Sequence, residues 1–171
     1  METGVAEIVQ HYVEKLEMQP HPEGGYYAST YRSKENIPVS ALPARFPGDR
    51  LFSTAIYFLL SGHQFSAFHR IKSDELWHFY DGCGLEIFVI EPNGTGNVLR
   101  LGRDLNHGFA FQQLVPAGSW FASRPIDPES FCLVGCTVAP GFDFQDFELA
   151  EKETLLQEFP QHQHWIETLT R

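Results

Sequence analysis

The stretch His69-Arg-Ile-Lys-Ser-Asp-Glu-Leu-Trp-His-Phe-Tyr-Asp-Gly82 sets histidines, a glutamate and a closing glycine among aromatic and β-forming residues. It reads as two strands joined by a turn at residues 72–74, with alternate side chains aimed at opposite faces. If His69 points inward, Ala67 and Ile71 share its face. On the next strand Glu75 shares the inward face with Trp77 and Phe79, while His78 and Tyr80 face away. Ionisable groups are costly to bury without a use or a partner. His69 and Glu75 are therefore the candidate functional pair, set in an aromatic-walled interior.

Outward from this stretch the chain is regularly punctuated. Turn signals at residues 61–62, 72–74, 81–82, 92–94, 106–108, 116–118 and 125–128 divide its middle into short strands, the pattern of an all-β sandwich or barrel. Residues 51–60 and 131–138 are nearly continuous apolar runs and predict strands buried on both faces. Asn93-Gly94, between residues 86–90 and 97–101, predicts a hairpin, since both residues tolerate positive φ. Upstream, Val5, Ile8, Val9, Tyr12, Val13 and Leu16 fall at helical spacing and predict an amphipathic helix over about 5–17. Pro20 and Pro22 end it. His21-Pro-Glu-Gly-Gly-Tyr26 then connects it to a strand over 26–32.

Residues 36–50, with three prolines, read as a surface loop of lid length. Phe142, Phe144 and Phe147 separated by polar residues predict a final exposed or edge strand. The acidic segment 148–169, broken at Pro160, predicts short surface helices.

A chain of 171 residues with 43% hydrophobic and 14% aromatic content can bury one complete core, so a single domain over 1–171 is expected, with its barrel over about 24–147. The net charge of -10, from 12 basic and 22 acidic residues, argues against a nucleic-acid partner. No run has the length of a membrane span, and the first residues lack the pattern of a signal peptide. The expectation is a cytoplasmic protein with no membrane partner. Cys83, Cys132 and Cys136 have no metal-type spacing and read as free thiols. Arg32 has two readings: a salt bridge to Glu23 that holds the amino-terminal strand, or a clamp for an anionic group at the mouth of a pocket.

The residues now in hand resemble the cupin superfamily. Gly62, His69, Glu75 and Gly82 follow its first motif in order, and Pro116-Ala-Gly-Ser-Trp-Phe121 is similar to its second. More narrowly, His21-Pro-Glu-Gly-Gly-Tyr, Ile56-Tyr-Phe-Leu-Leu, Phe68-His-Arg, Glu75-Leu-Trp-His, Val115-Pro-Ala-Gly and Val138-Ala-Pro-Gly-Phe-Asp-Phe resemble one uncharacterised cupin family across nearly the whole chain. The resemblance implies an all-β jelly-roll barrel with an amino-terminal helix and short carboxy-terminal helices outside it. It also implies a homodimer.

Metal-binding cupins use histidines where this chain has Ile71 and Phe121, so no metal and no other cofactor are expected. Metal-free barrels of this superfamily include sugar-nucleotide epimerases, in which a histidine base and a tyrosine acid act on a carbon beside a carbonyl. By that resemblance His69 would be a base, Glu75 would orient it or act as a buried acid, and Tyr57 or Tyr80 would be the tyrosine acid. Tyr57, Ala67, Ile71, Trp77, Phe79, Phe121 and Arg32 would line a pocket for a small polar or carbohydrate-like metabolite. Two alternatives stand beside this reading: a non-catalytic ligand-binding module, and a divergent metal enzyme completed by His78 turned inward.

Overall fold

The computed structural model describes residues 3–171. Helix α1 (Thr3–Lys15) leads into β1 (Gln19–Pro20), β2 (Tyr26–Arg32), β3 (Asn36–Ile37), β4 (Arg50–Leu51), β5 (Thr54–Ser61), β6 (Ser66–Arg70) and β7 (Asp74–Gly82). The chain continues through β8 (Leu85–Ile90), β9 (Gly96–Leu101), β10 (Gln112–Val115), β11 (Trp120–Pro125), β12 (Phe131–Ala139) and β13 (Glu148–Leu149) to α2 (Lys152–Glu158) and α3 (Gln163–Leu169). A six-stranded sheet in the order β1-β2-β5-β12-β7-β10 faces a five-stranded sheet in the order β13-β6-β11-β8-β9, which is the jelly roll expected.

Period-two alternation fills the space between the sheets. Phe58 and Leu60 of β5, Trp77 of β7, Ile87 and Val89 of β8, and Cys132, Val134, Cys136 and Val138 of β12 form the inner core. The other faces of the long apolar strands are covered too. Val5, Val9, Tyr12 and Val13 of α1, with Leu16 just after it, pack on Leu59, Phe131 and Leu133. Against the outer face of the five-stranded sheet, Leu155, Phe159, Ile166 and Leu169 cover Phe68, Phe88, Ile90, Trp120 and Ala122. The Asn93-Gly94 turn joins β8 to β9, with Gly94 at φ 85° and Asn93 Oδ1 accepting from the Thr95 N–H.

Two segments differ from expectation. Residues 142–147 are not a strand: Asp143 accepts from the Gln145 N–H and starts a 3-10 turn over Phe144–Asp146. The residues 36–50 loop is ordered by the short β3–β4 pairing and by Asp49, which accepts from the Val39 N–H and from Asn36 Nδ2. The two segments are fastened to one another. Nε and Nη2, one edge of the Arg50 guanidinium, each donate to an Asp146 oxygen at 2.6 Å, and both side chains are buried.

Candidate functional site

A cavity of about 220 Å³ opens between the sheets, walled by β1, β2, β5, β12 and the start of β7 on the six-stranded side, by β6 on the other, and by the 142–147 segment. Its polar groups are brought in by the connection that follows α1. The Gly24 N–H donates to the His21 carbonyl and the His21 N–H to the Gly25 carbonyl, which closes a tight turn. Gly24 and Gly25 have φ of 120° and 73°, and a Cβ on either would collide with the carbonyl oxygen of Phe65 or of Leu59. Only glycines let the turn lie this close to β5 and β6. The Ala67 N–H then donates to the Glu23 carbonyl at 2.8 Å, and the Glu23 side chain is directed at His69.

The hydrogen bonds of His69 fix its protonation. Nδ1 lies 2.7 Å from the Ala67 carbonyl, which can only accept, so Nδ1 carries a proton. Nε2 lies 2.9 Å from Glu23 Oε2. Burial, the largest single influence on His69, pulls its pKa down, but the charge and hydrogen bond of Glu23, with Glu75 adding to them, leave it above the ordinary histidine value. For Glu23 burial pushes up, while the His69 charge and hydrogen bond hold the carboxyl below its ordinary range. The pair is an imidazolium and a carboxylate, both buried.

His21 is its opposite. The Glu23 backbone N–H donates to His21 Nδ1 at 3.3 Å, so the neutral ring carries its proton on Nε2. Burial lowers its pKa, the nearby Glu23 charge opposes that shift, and the His69 charge adds to it. Its ring sits edge-on to Tyr27 and Phe58, with centroids 4.7 and 5.9 Å away. Nε2–H has no protein acceptor among the described residues.

Glu75 is buried on the cavity wall, and desolvation pushes its carboxyl up to about 7, with the His69 charge pulling down and the Glu23 charge pushing up. The Cys136 thiol lies beside it and is itself pushed well above its ordinary value, first by burial. Cys83, Cys132 and Cys136 are all free thiols.

Of the residues the sequence singled out, His69, Glu75, Ile71 and Arg32 line the cavity. Trp77 and Phe121 stand behind its wall: Phe121 lays its ring 4.0 Å from that of His69, and Trp77 meets Phe58 edge-on at 6.0 Å. Phe79 packs against the inner core rather than lining the cavity, and Ala67 contributes its backbone rather than its methyl group. Tyr57 is misplaced by the sequence reading. It packs on the α1 side of the six-stranded sheet, edge-on to Tyr80 at 5.7 Å, so neither tyrosine reaches the cavity. Glu75 does not orient His69; Glu23 does. Arg32 makes no ion pair with Glu23, because His69 has claimed that carboxylate.

The sequence reading missed His21, Glu23 and the Phe142, Phe144 and Phe147 cap as parts of the site. The signal for the first two was present: a histidine and a glutamate directly before two glycines form a polar pair on a turn that no other residue permits.

A metal centre does not fit these residues. Ile71 and Phe121 occupy two positions where cupins carry histidine ligands, and both ring nitrogens of His69 are committed to Ala67 and Glu23. His78 stays outside, held by Thr137 Oγ1 at 3.0 Å and Gln112 Nε2 at 3.1 Å. Among the described residues no group of three or more His, Cys, Asp or Glu side chains is arranged to hold a metal ion.

No helix among the described residues is long and apolar enough to cross a membrane. Protein SO0799 from Shewanella oneidensis is 41% identical and superposes with a TM-score of 0.85 over 95% of this chain and 96% of its own. A hypothetical protein from Leishmania major is 30% identical, with a TM-score of 0.83 over 94% of this chain and 97% of its own. The uncharacterized protein YML079W of Saccharomyces cerevisiae is 28% identical over 87% of this chain and 78% of its own length. Oxalate decarboxylase from Bacillus subtilis, 14% identical with a TM-score of 0.52 over 88% of this chain and 36% of its own, shares the fold alone. Residues 10–150 match the family described as Cupin superfamily (DUF985), and the chain belongs to that family.

Proposed function

We propose that the cavity binds a compact polar metabolite bearing a carbonyl group, of carbohydrate type, and that Glu75 moves a proton on the carbon beside that carbonyl. One observation carries this reading: a buried carboxyl and a neutral imidazole N–H with no protein acceptor line the same cavity. A base is most effective when its pKa lies near the working pH, which Glu75 at about 7 satisfies without a metal. Removal of the proton leaves negative charge on the carbonyl oxygen. His21 Nε2–H is the donor for that charge, and because the ring is neutral it polarises the carbonyl without surrendering its own proton. Protonation of the same carbon on its opposite face gives an epimer; protonation of the former carbonyl carbon, with the neighbouring hydroxyl proton passing to the old carbonyl oxygen, gives an isomer.

His69 is thereby moved from base to support. As an imidazolium with both N–H groups engaged it has no lone pair to accept a proton, and its charge balances Glu23 beside the reacting carboxyl. The ligand is small, since about 220 Å³ lies below the roughly 300–1,000 Å³ of pockets for drug-sized ligands. A monosaccharide is the scale that fits.

The test is deuterium uptake from solvent into a panel of aldoses, ketoses and their phosphates, followed by NMR. Uptake at the carbon beside the carbonyl, abolished in Glu75→Gln while binding persists, supports the assignment. Binding without uptake under any condition would reduce the cavity to a passive ligand-binding module.

A further inference from the structure

The same cavity has one charged group at its mouth that the fold does not use. We propose that the metabolite carries an anionic group, a phosphate or a carboxylate, that Arg32 holds at the entrance while the carbonyl end runs inward to Glu75. This rests on the reading of the cavity given above and names its substrate class.

The first support is a contrast among the arginines. The chain has eight. Seven of them hold a carboxylate, a backbone carbonyl or an aromatic face, as Arg50 holds Asp146 and Arg70 holds Glu148 and the face of Trp120. Arg32 alone has no side-chain hydrogen bond, ion pair or aromatic contact among the described residues, although it borders the cavity. A guanidinium is a rigid fork of donors matched to the two oxygens of a carboxylate or phosphate, and such bonds are the strong ones.

The second support is space. Arg32 and Phe142 belong both to the cavity and to an adjoining cleft of about 270 Å³ that also contains Asn36. The guanidinium therefore stands at a junction, with room on its outer side for a group too large for the cavity. The carboxylates bordering that cleft are engaged elsewhere: Asp49 by Val39 N–H and Asn36, Asp143 by Gln145 N–H. Arg50, also there, is committed to Asp146.

The third support is charge. Within the cavity Glu23 and His69 cancel, His21 is neutral, and Glu75 titrates near 7, so Arg32 supplies the surplus. In a chain of net charge -10 this is a local positive site facing a low-dielectric recess, which draws in an anion that the rest of the surface repels.

Calorimetry on the full chain with matched probes decides it: glucose 6-phosphate against glucose, glucuronate against glucose, and inorganic phosphate alone, each at low and at high salt. The charged member of at least one pair should bind roughly ten- to a hundredfold more tightly, the worth of one charge-assisted hydrogen-bonded contact. The phosphate and carboxylate pairs distinguish the two anions. Arg32→Ala should erase the preference and Arg32→Lys should keep part of it, with thermal stability unchanged because Arg32 supports no other group. Neutral members binding as tightly as charged ones, or a preference that survives in Arg32→Ala, overturns the proposal and leaves the proton-transfer reading standing. If no probe binds and none exchanges hydrogen with solvent, that reading fails and the anion site with it.

Discussion

His69 Nε2 lies 2.9 Å from Glu23 Oε2, so the histidine of the first cupin motif is paired with a glutamate from the turn after α1 and not with the motif's own Glu75. The pairing joins that turn to β6 and neutralises two buried charges at once. It also sets a pH window. His69 is raised from 6.5, so its contribution is full below that value and is lost as pH rises through the higher native pKa; Glu23 is lowered from 4.5, so its contribution is full above that value and is lost as pH falls through the lower native pKa.

Removing one partner strands the other. His69→Leu or Glu23→Leu alone should cost about 3–5 kcal/mol, whereas the double variant should cost clearly less than the sum of the two. Urea denaturation of the four proteins at a pH inside the window measures the coupling. Additive losses would show that the pair is not an ion pair.

Glu75 gives a slope of the same sign as His69 and opposite to that of Glu23. Its carboxyl titrates at 4.5 when unperturbed and at about 7 in the fold, so between those values the native state holds a proton that the unfolded chain has released. Stability then falls as pH rises across that interval and is level above it, by a total on the order of 3 kcal/mol. Glu75→Gln keeps the neutral shape without the titration. Its stability relative to the parent chain should climb from about pH 5 to about pH 8, and parallel curves would refute the raised pKa.

The inward set on β6 and β7 was legible because a strand alternates strictly, and the turn at 72–74 fixed which residues faced together. The same rule failed for Tyr57. In Thr54–Ser61 both faces are apolar, so no contrast between neighbours tells which one is inside; the coverage by α1 decided it. Phe142 and Phe144 alternate like a strand, with Phe147 one step out of phase. Asp143 caps a turn there by accepting from the Gln145 N–H, and Asp146 answers to Arg50, a partner that the local pattern does not contain. Glu23 reaches His69 across a turn whose depth depends on close contact with Phe65 and Leu59, which no local periodicity encodes.

His21 and the outward tyrosines make a paired prediction. His21→Phe keeps the ring among Tyr27, Phe58 and Phe147 but removes the N–H, so kcat for solvent exchange should fall about 10²–10³-fold with a smaller change in KM. Tyr57→Phe and Tyr80→Phe should leave exchange unchanged, because both hydroxyls lie on the far side of the sheet. Loss of exchange in Tyr57→Phe would return the proton donor to that tyrosine.

The cap over the cavity hangs on Arg50 and Asp146. Phe142, Phe144 and Phe147 meet one another edge-on at 5.0–6.4 Å, and Phe147 lies 5.4 Å from the His69 ring, so the cap covers the ion pair as well as the ligand space. Its flanks are held by backbone bonds, with the Gly141 N–H donating to the Leu51 carbonyl, the Phe142 N–H to Thr54 Oγ1 and the Ala150 N–H to the Phe68 carbonyl, and by the two-residue pairing of β13 with β6. Asp146→Asn weakens both bonds to Arg50 and leaves a guanidinium buried beneath the loop. The cost should be about 3–5 kcal/mol if the cap stays closed, and less if it opens and lets Arg50 reach water. Hydrogen exchange separates the two outcomes, since opening would raise exchange at residues 142–149 while the amides of β5 and β12 stay protected. Arg50→Met with Asp146→Leu replaces the pair by apolar groups of similar reach and should restore both stability and protection. If Asp146→Asn changes neither stability nor exchange at 142–149, the ion pair is not what closes the cavity.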